Sequence, residues 1–307
     1  MEEERGQSGA AAMAVEDAAR DFGAEGLLAH ARDSTTCQDR ASVAERFLER
    51  MTWPEVEKAI EGGVDCVLLP IGTTEQHGHH MPLDTDCFIA RSLCARASEA
   101  GETEGLSILV APTLNVTLSW YHMQFPGSLR LSTTTFLSVF REVCESLHQH
   151  FGNLVAVNGH GGNIAALTVA VNHYFETTGR RVFLAQWWDL AADVLAEVEG
   201  PLIHAEEAET SLAIALGQTV YPERATRDAW DRGAAVQAAG LPWTSLGRYE
   251  MRAKGPGVIV PMDMLRDITP SGVVGDATRA SRELGERMVA AVVPRIVQVC
   301  RDLAGKE

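Results

Sequence analysis

The apolar positions of this chain fall into short continuous runs that alternate with amphipathic stretches. The runs are rich in branched side chains, which is the pattern of buried parallel strands. Four follow one another: CVLLPIG (66–72), LSILVAPTL (106–114), NLVAVNG (153–159) and RVFLAQWW (181–188). Because helical patterns lie between the runs, we predict an α/β layered fold around a mostly parallel sheet.

The amphipathic stretches carry recognisable helix starts and stops. In the stretch 132–152, Ser132 is a candidate N-cap and Gly152 a stop. The predicted helices are 42–63, 87–101, 132–152, 163–179 and 277–305. Residues 1–45 have weak periodicity and are dominated by Gly, Ala, Ser and charged residues. They are predicted to be a flexible or loosely helical extension, followed by a single domain over 46–307.

Composition and charge narrow the classes of partner. A chain of 307 residues can bury a large core. Its formal net charge of -16 argues against nucleic acid, whose phosphates need clustered Lys and Arg, and against anionic membranes. No apolar run reaches the roughly 20 residues that span a bilayer. The acidic N-terminus and six scattered cysteines without a C-x-x-C pair predict a cytoplasmic protein.

Ionisable side chains follow two of the predicted strands. In LLPIGTTEQHGHHMPLDTD (68–86), Glu75 and His77 are two residues apart and can reach one ion, and Asp86 comes nine residues later. His160 follows the third run, in NGHGGN. Because ligands bind at the carboxyl ends of the strands in open α/β sheets, these side chains are expected to converge there.

A third segment, HAEEAETS (204–211), adds His204 and Glu209. A mixed set of histidines and carboxylates suits Zn, Mn or Fe(II) better than a Cys-rich structural zinc site. Three carboxylates and a bridging hydroxide would balance about four positive charges, which favours two divalent ions.

The glycines after His160 predict a close backbone approach to a ligand. Gly161 and Gly162 permit unusual dihedral angles, and the helix that begins near Asn163 would direct free N–H groups at the same spot.

Together, PIGTTEQHGHHMPLDTD, NGHGGN, HAEEAETS and the late SGVVGD and LGER resemble the creatininase (creatinine amidohydrolase) family over roughly residues 50–290. The resemblance implies a three-layer α/β/α sandwich that binds two divalent metal ions and forms a homo-oligomer built from dimers. It also implies hydrolysis of non-peptide C–N bonds in cyclic amides or formamides. One branch of the family trims a C-terminal dipeptide from a small modified peptide.

The resemblance also implies roles for individual residues. The metal ligands would be Glu75, His77, Asp86, His160 and Glu209, with Asp86 as the bridge. His204 would carry protons, with Glu209 completing the second metal beside it. His122, in WYHMQFPGS, would lie near the substrate pocket.

Two departures from the family pattern bear on the substrate. Creatinine-cleaving members carry Tyr and Glu where this chain has Gly161 and Gly162, and that Glu is a ligand, so creatinine itself is not the expected substrate. Glu206 replaces the glycine of an H-A-G element. Its carboxylate would either favour a cationic substrate or point away from the substrate pocket.

The predicted pocket wall is aromatic. Trp187 and Trp188 follow the fourth strand and could stack on a planar substrate. Since neighbours on an extended strand point to opposite faces, only one of them would face the pocket.

The main hypothesis is therefore metal-assisted hydrolysis of a small-molecule amide, in which the ions lower the pKa of a bound water. Gly161 or Gly162 N–H groups would hold the oxyanion. The alternatives are a metallopeptidase that trims a small modified peptide, and a metal-binding module without turnover.

Overall fold

The structure is a computed structural model and describes residues 45–229 and 262–305. Apart from Glu45, the predicted N-terminal extension lies outside the described residues, so it stays a prediction.

A parallel sheet is the centre of the fold. Its strands are β1 (Cys66–Ile71), β2 (Ile108–Val110), β3 (Leu154–Asn158) and β4 (Val182–Gln186), in the order β2-β1-β3-β4. All three pairings are parallel, so each predicted strand is confirmed, with shorter bounds.

The strand order creates a switch point between β1 and β3. The chain leaves β1 for β2 on one side and returns to β3 on the other, which opens a crevice at the carboxyl ends of these two strands. Ile71 pairs with Asn158 there, so the segments that follow both strands start side by side.

Helices follow the strands and cover the sheet. They are α1 (Trp53–Glu61), α2 (Thr85–Thr103), α3 (Thr133–Leu147), α4 (Ile164–Thr178), α5 (Trp187–Leu190), α6 (Ala192–Leu195), α7 (Glu207–Leu216), α8 (Leu265–Ile268) and α9 (Arg282–Ala304). A short antiparallel pair, β5 (Arg227–Asp228) and β6 (Gly275–Asp276), was not predicted. No helix within 45–229 or 262–305 is both long and apolar enough to cross a membrane.

Local chemistry explains where two of these helices begin. Ser132 caps α3 by accepting a hydrogen bond from Thr135 N at 3.2 Å, as predicted. α1 starts at Trp53, because Pro54 fits the first turn and Glu55 accepts from the backbone N–H of Thr52. The predicted helix from residue 42 is therefore confirmed only over its second half.

Alternate strand residues face two separate apolar cores. Leu68 and Val155 point to the side covered by α2, α7 and α9, together with α5 and α6. Leu69 and Ala156 point to the side covered by α1, α3 and α4. This alternation follows from the pleat of the sheet, and it confirms the three-layer α/β/α sandwich.

Candidate metal centre

The predicted ligands meet at the switch point between β1 and β3. The loop after β1 carries Glu75 and His77, the first turn of α2 carries Asp86, His160 follows β3, and α7 carries Glu209 in its first turn. All five are buried, with at most 5% of their surface exposed. Segments remote in sequence therefore converge, as the sequence predicted.

Three sets of side chains in the described residues could each hold an ion. In each set the ligand atoms all lie within 4.8 Å of one another. The sets are Glu75, Asp86 and His160; His77, His204 and Glu209; and Glu75, His122 and His204. Because the sets share residues, they form one extended cluster rather than isolated sites.

Asp86 lies between two of the histidines. Its Oδ1 is 3.0 Å from His77 Nε2, and its Oδ2 is 3.0 Å from His160 Nδ1. The two oxygens of one buried carboxylate thus face histidine nitrogens from two different loops.

Backbone carbonyls orient three histidines of the cluster. In each ring one nitrogen lies within hydrogen-bond distance of a carbonyl oxygen, so the other nitrogen faces the carboxylates. The pairs are His77 Nδ1 with Glu75 O (3.0 Å), His160 Nε2 with Leu118 O (2.7 Å) and His204 Nε2 with Gln76 O (2.8 Å).

Two buried carboxylate oxygens point to a cation. Glu75 Oε1 and Asp86 Oδ2 form no hydrogen bond in the described structure, although His160 Nδ1 lies 3.2 Å and 3.0 Å away. Both oxygens depend on one nitrogen of His160, which cannot donate fully to the two at once, and buried charges are paired or coordinate metals. The donor set therefore fits divalent ions, with oxygen and nitrogen atoms gathered around shared points.

The charges of the cluster shift one another's pKa values. Burial lowers the pKa of His77, but the charge and hydrogen bond of Asp86, together with the charges of Glu209 and Glu75, outweigh it and raise the pKa to about 9. Burial opposes ionisation of Asp86, yet His77 and His160 together hold its pKa well below its usual range. Burial raises the pKa of Glu209 to about 7, against the opposing effect of His77. Neighbouring histidines thus dominate the pKa of Asp86, whereas burial dominates that of Glu209.

His204 and His122 also lie inside the cluster. His204 Nδ1 is 3.8 Å from Glu75 Oε1, and His122 Nδ1 is 3.3 Å from Glu75 Oε2. Their rings meet edge to face at 4.5 Å. Burial, reinforced by neighbouring histidines, lowers both pKa values well below the usual range, so both rings are neutral near pH 7.

The second glycine after His160 has no room for a side chain. A Cβ on Gly162 would lie 2.4 Å from both His160 Nε2 and the Tyr121 hydroxyl, whereas Gly161 faces open space. The Tyr121 hydroxyl itself is 3.3 Å from His160 Nε2. A side chain at position 162 would require His160 and Tyr121 to shift.

Trp187 and Trp188 do not line the cleft as the sequence suggested. The strand ends at Gln186, and both tryptophans open α5 instead of extending the sheet. Their rings are 0% and 5% exposed and belong to the apolar core, where they meet edge to face. Because a helix begins there, the expectation of one inward and one outward ring does not apply, and neither ring offers an exposed face.

Glu206 turns away from the ligand atoms. Its side chain accepts hydrogen bonds from Ala208 N at 2.8 Å and Glu209 N at 3.2 Å, and so caps α7. The extra carboxylate therefore caps the helix that carries Glu209. Of the two alternatives for Glu206, the structure favours the one in which its side chain points away from the substrate.

Two polar residues of the site were missed by the sequence analysis. Ser119 donates a 2.5 Å hydrogen bond to Glu75 Oε2, and Gln76 contacts His204. Gln76 lies between the predicted ligands Glu75 and His77 in the first motif, and this position could have indicated that it belongs to the site. Nothing in the pattern around Ser119 distinguished it.

A sandwich with a buried carboxylate and histidine cluster at its switch point defines a metal-binding α/β protein. The family model of creatininase, described as creatinine amidohydrolase, matches residues 49–300. The chain therefore belongs to the creatininase family of hydrolases.

Relatives of this chain include a peptidase and an amidohydrolase. The mycofactocin precursor peptide peptidase of Mycolicibacterium smegmatis is 31% identical over 231 residues, which are 75% of this chain and 82% of that protein. The creatinine amidohydrolase of Pseudomonas putida is 27% identical over 277 residues, which are 83% of this chain and 96% of that protein.

Solved creatininase structures share the fold. The crystal structure of creatinine amidohydrolase (creatininase) has a TM-score of 0.66 at 26% identity, covering 85% of this chain and 99% of that one. A creatininase structure with Mn has a TM-score of 0.65 at 25% identity, covering 85% of this chain and 100% of that one. A creatininase variant of the Zn-Zn type has a TM-score of 0.67 at 24% identity, covering 85% of this chain and 99% of that one.

Proposed function

We propose that this chain is a metal-dependent hydrolase that cleaves an amide C–N bond of a small molecule with an activated water. The observation that carries the proposal is the position of Asp86, with one carboxylate oxygen facing His77 and the other facing His160. A buried bridging carboxylate suits a pair of divalent ions and a hydrolytic reaction.

The metal ligands in this proposal are Glu75, His77, Asp86, His160 and Glu209. When bound, two divalent ions would acidify a water molecule and polarise the substrate carbonyl. The backbone carbonyls behind the histidines keep the ring nitrogens aimed at the ions, and Ser119 holds Oε2 of Glu75 so that Oε1 stays available.

The remaining site residues would handle the proton and the oxyanion. His204 is neutral and has Nδ1 on the cluster side, so it can accept a proton from the attacking water and deliver it to the leaving nitrogen as the C–N bond breaks. A positioned acid or base contributes about 10²–10⁴-fold. Gly161 and Gly162 are the proposed N–H donors to the oxyanion, and His122 the proposed substrate contact.

A peptide is the second candidate substrate. The peptidase from Mycolicibacterium smegmatis is more similar to this chain than the Pseudomonas putida creatinine amidohydrolase, at 31% against 27% identity. Gly162 stands where creatinine-cleaving members carry a glutamate ligand, which weighs against creatinine itself as the substrate. Both candidates share the same bond chemistry and the same catalytic groups.

We further propose that the protein works in the cytoplasm as a homo-oligomer built from dimers. Its five cysteines within the described residues are buried free thiols, which supports a reducing compartment. Size measurement in solution by light scattering tests the assembly.

The test is turnover with two substrate panels. Protein reloaded with Mn²⁺ or Zn²⁺ is incubated with small cyclic amides and formamides, and separately with short peptides, and the appearance of the new amino group, on the opened ring or on the released fragment, is measured. We expect turnover in one panel, its loss on chelation, and a fall of about 10²-fold or more in the His204→Gln variant. Bound metal with no turnover in either panel would favour a binding module over an enzyme.

A further inference from the structure

We propose that Asn158 is a positioning residue for His160, and that it holds this histidine in place to bind one of the two ions. The inference rests on the proposed function, because it takes His160 as a metal ligand. Asn158 acts through the histidine and is not itself a ligand.

The side-chain amide of Asn158 is bonded to both main-chain polar groups of His160. Its Oδ1 accepts from His160 N at 3.1 Å, and its Nδ2 donates to His160 O at 2.9 Å. The first contact is an Asx turn, in which an asparagine oxygen accepts from the N–H group two residues on. Because a backbone N–H can only donate and a carbonyl can only accept, these contacts also fix the orientation of the amide.

Asn158 is itself held by the sheet. It is the last residue of β3, and it pairs with Ile71 on one side and with Gln186 on the other. It is completely buried, so water does not compete for its amide. Its two hydrogen bonds therefore extend the order of the strand to residue 160, two positions beyond the end of β3.

The residue between Asn158 and His160 allows a close approach to Asp86. A Cβ on Gly159 would lie 2.4 Å from Asp86 O, and Gly159 N donates to Ile71 O at 2.7 Å. The end of β3 therefore lies directly against the first turn of α2. In this position His160 Nδ1 is 3.0 Å from Asp86 Oδ2.

A second asparagine supports the same turn. Asn163 donates from Nδ2 to Asn158 Oδ1 at 3.4 Å, and its backbone N–H donates to His160 O at 3.1 Å. Its Oδ1 accepts from Leu118 N at 3.4 Å, and the carbonyl oxygen of Leu118 lies 2.7 Å from the His160 ring. The two asparagines of NGHGGN thus hold the main chain of the histidine and, through Leu118, its ring.

One of the two proposed ions depends on this arrangement more than the other. His160 belongs to the ligand set that it forms with Glu75 and Asp86, and we call the ion of this set the His160 ion. It is absent from the set that contains His77 and Glu209. A ligand that is already in place loses less conformational freedom on binding, so loss of the asparagine amide should weaken the His160 ion selectively.

The test measures metal affinity without any substrate. The full chain is freed of metal with chelator and titrated with Mn²⁺ by isothermal titration calorimetry, as native protein and as Asn158→Leu. We expect the Kd of one ion to rise about 10–100-fold while that of the other stays within about threefold, because residues that orient a ligand contribute on that scale. Unchanged affinity for both ions, or an equal loss for both, would overturn the proposal.

A double-mutant cycle tests whether Asn158 acts through His160. In His160→Ala the His160 ion has already lost its nitrogen ligand, so adding Asn158→Leu should change the remaining affinities by less than about twofold. A further loss as large as in the native background would show that Asn158 acts by another route, and it would refute the positioning role.

Asn153→Leu is the matched control. Asn153 directly precedes the same strand, at the end of the sheet away from the cluster, and donates one side-chain hydrogen bond to Asp65 O at 3.0 Å. Its substitution should leave both Kd values unchanged. An equal rise in the control would show that any loss of an asparagine beside β3 weakens the site, which contradicts the proposal.

Asn163→Ala keeps the proposal testable if circular dichroism shows that Asn158→Leu does not fold. This variant leaves the main contacts of Asn158 with His160 in place, so it should raise the Kd of the same ion by a smaller factor, about three to ten. No change in either Kd would then count against the proposal. If the native protein binds ions but hydrolyses no amide, the proposed function fails, while the titrations still decide the role of Asn158. Turnover together with unchanged affinities in the variants would leave the proposed function standing and refute the inference.

Discussion

Asp86 shows how one buried residue can organise the whole site. Its two oxygens face His77 and His160, which belong to different loops, so a single side chain joins the segments that follow β1 and β3. Near full burial makes an unpaired carboxylate costly, so the arrangement is best satisfied by cations that share the ligand. The metal content should therefore depend on this residue more than on any exposed acid nearby.

Asp86→Ala should lower the divalent metal content from about two ions per chain to less than one, since both ions would lose the shared ligand. Elemental analysis of protein purified without chelator measures the stoichiometry. Asp84→Ala is the control, because Asp84 lies two residues away and is exposed. An unchanged metal content in Asp86→Ala would refute the bridging role.

At the scale of elements, α7 carries a ligand and depends on an unusual cap. Glu206 is fully buried and accepts from the first N–H groups of the helix. Burial, followed by the neighbouring Glu209, raises the pKa of Glu206 from 4.5 to about 8. The folded protein therefore favours the protonated carboxyl group of Glu206, so the contribution of this cap to the free energy of unfolding falls as the pH rises.

Glu206→Gln should stabilise metal-free protein at high pH. A carboxyl group with a raised folded pKa contributes stability that is complete below about pH 4.5 and is lost as the pH rises towards about 8. Glutamine keeps the accepting oxygen but cannot ionise. Urea unfolding should show nearly equal stability near pH 4.5 and a gain of about 4–5 kcal/mol at pH 8.5, which is what a pKa raised from 4.5 to about 8 corresponds to. The exposed Glu176→Gln should show no such trend, and a pH-independent difference for Glu206→Gln would contradict the argument.

The packing of α9 on α7 depends on a small residue in LGER. A Cβ on Gly285 would lie 2.0 Å from Ser211 O, inside the contact distance of the two helices. Alanine is favoured over glycine in helices by about 1 kcal/mol, but overpacking costs about 1–3 kcal/mol, and here the obstacle is backbone. We expect Gly285→Ala to lower the free energy of unfolding, as measured in urea.

Gly305→Ala, at the end of the same helix, is the control because its nearest neighbour would lie at 3.7 Å. A Gly285→Ala protein as stable as native would show that the helices can separate without cost.

The elements differ in how far the sequence foretold them. β1 to β4 were predicted because each is a continuous apolar run, and Ser132 marked the start of α3 by its capping chemistry. Trp187 and Trp188 continued such a run, yet packing against the core starts α5 there. The pairing of β5 with β6 involves only two residues in each strand, too few to show a period.

The site was predicted where ligand types cluster along the chain, and missed where the contact is between distant segments. Glu75, His77 and Asp86 lie within one motif, so their convergence could be expected. The contact between Gln76 and His204 joins residues 128 apart, and that between Ser119 and Glu75 joins residues 44 apart. Only the folded sheet brings these partners together.

At the scale of the whole molecule, the cluster ties both layers of helices to the sheet. Asp86 and Glu209 belong to α2 and α7 on one face, while His160 leads into α4 on the other. In the absence of ions the buried carboxylates include oxygens without hydrogen-bond partners, which weakens the folded state. Ion binding should therefore stabilise the domain as a whole, so the melting temperature of the protein should rise with the fraction of metal sites that are filled.

Chelation should lower the melting temperature of the native protein by about 10–20 °C. Each of the two ions, present at a hundred times its Kd, stabilises the folded state by about 2.7 kcal/mol, and 1 kcal/mol shifts the melting point of a domain this large by about 2–4 °C. Differential scanning calorimetry with EDTA, and after Mn²⁺ or Zn²⁺ is restored, measures the change. Asp86→Ala should melt at nearly the same temperature in both conditions, since its occupancy is already low. If EDTA lowered the melting temperatures of both proteins equally, the stabilising ions would have to bind somewhere other than between β1 and β3.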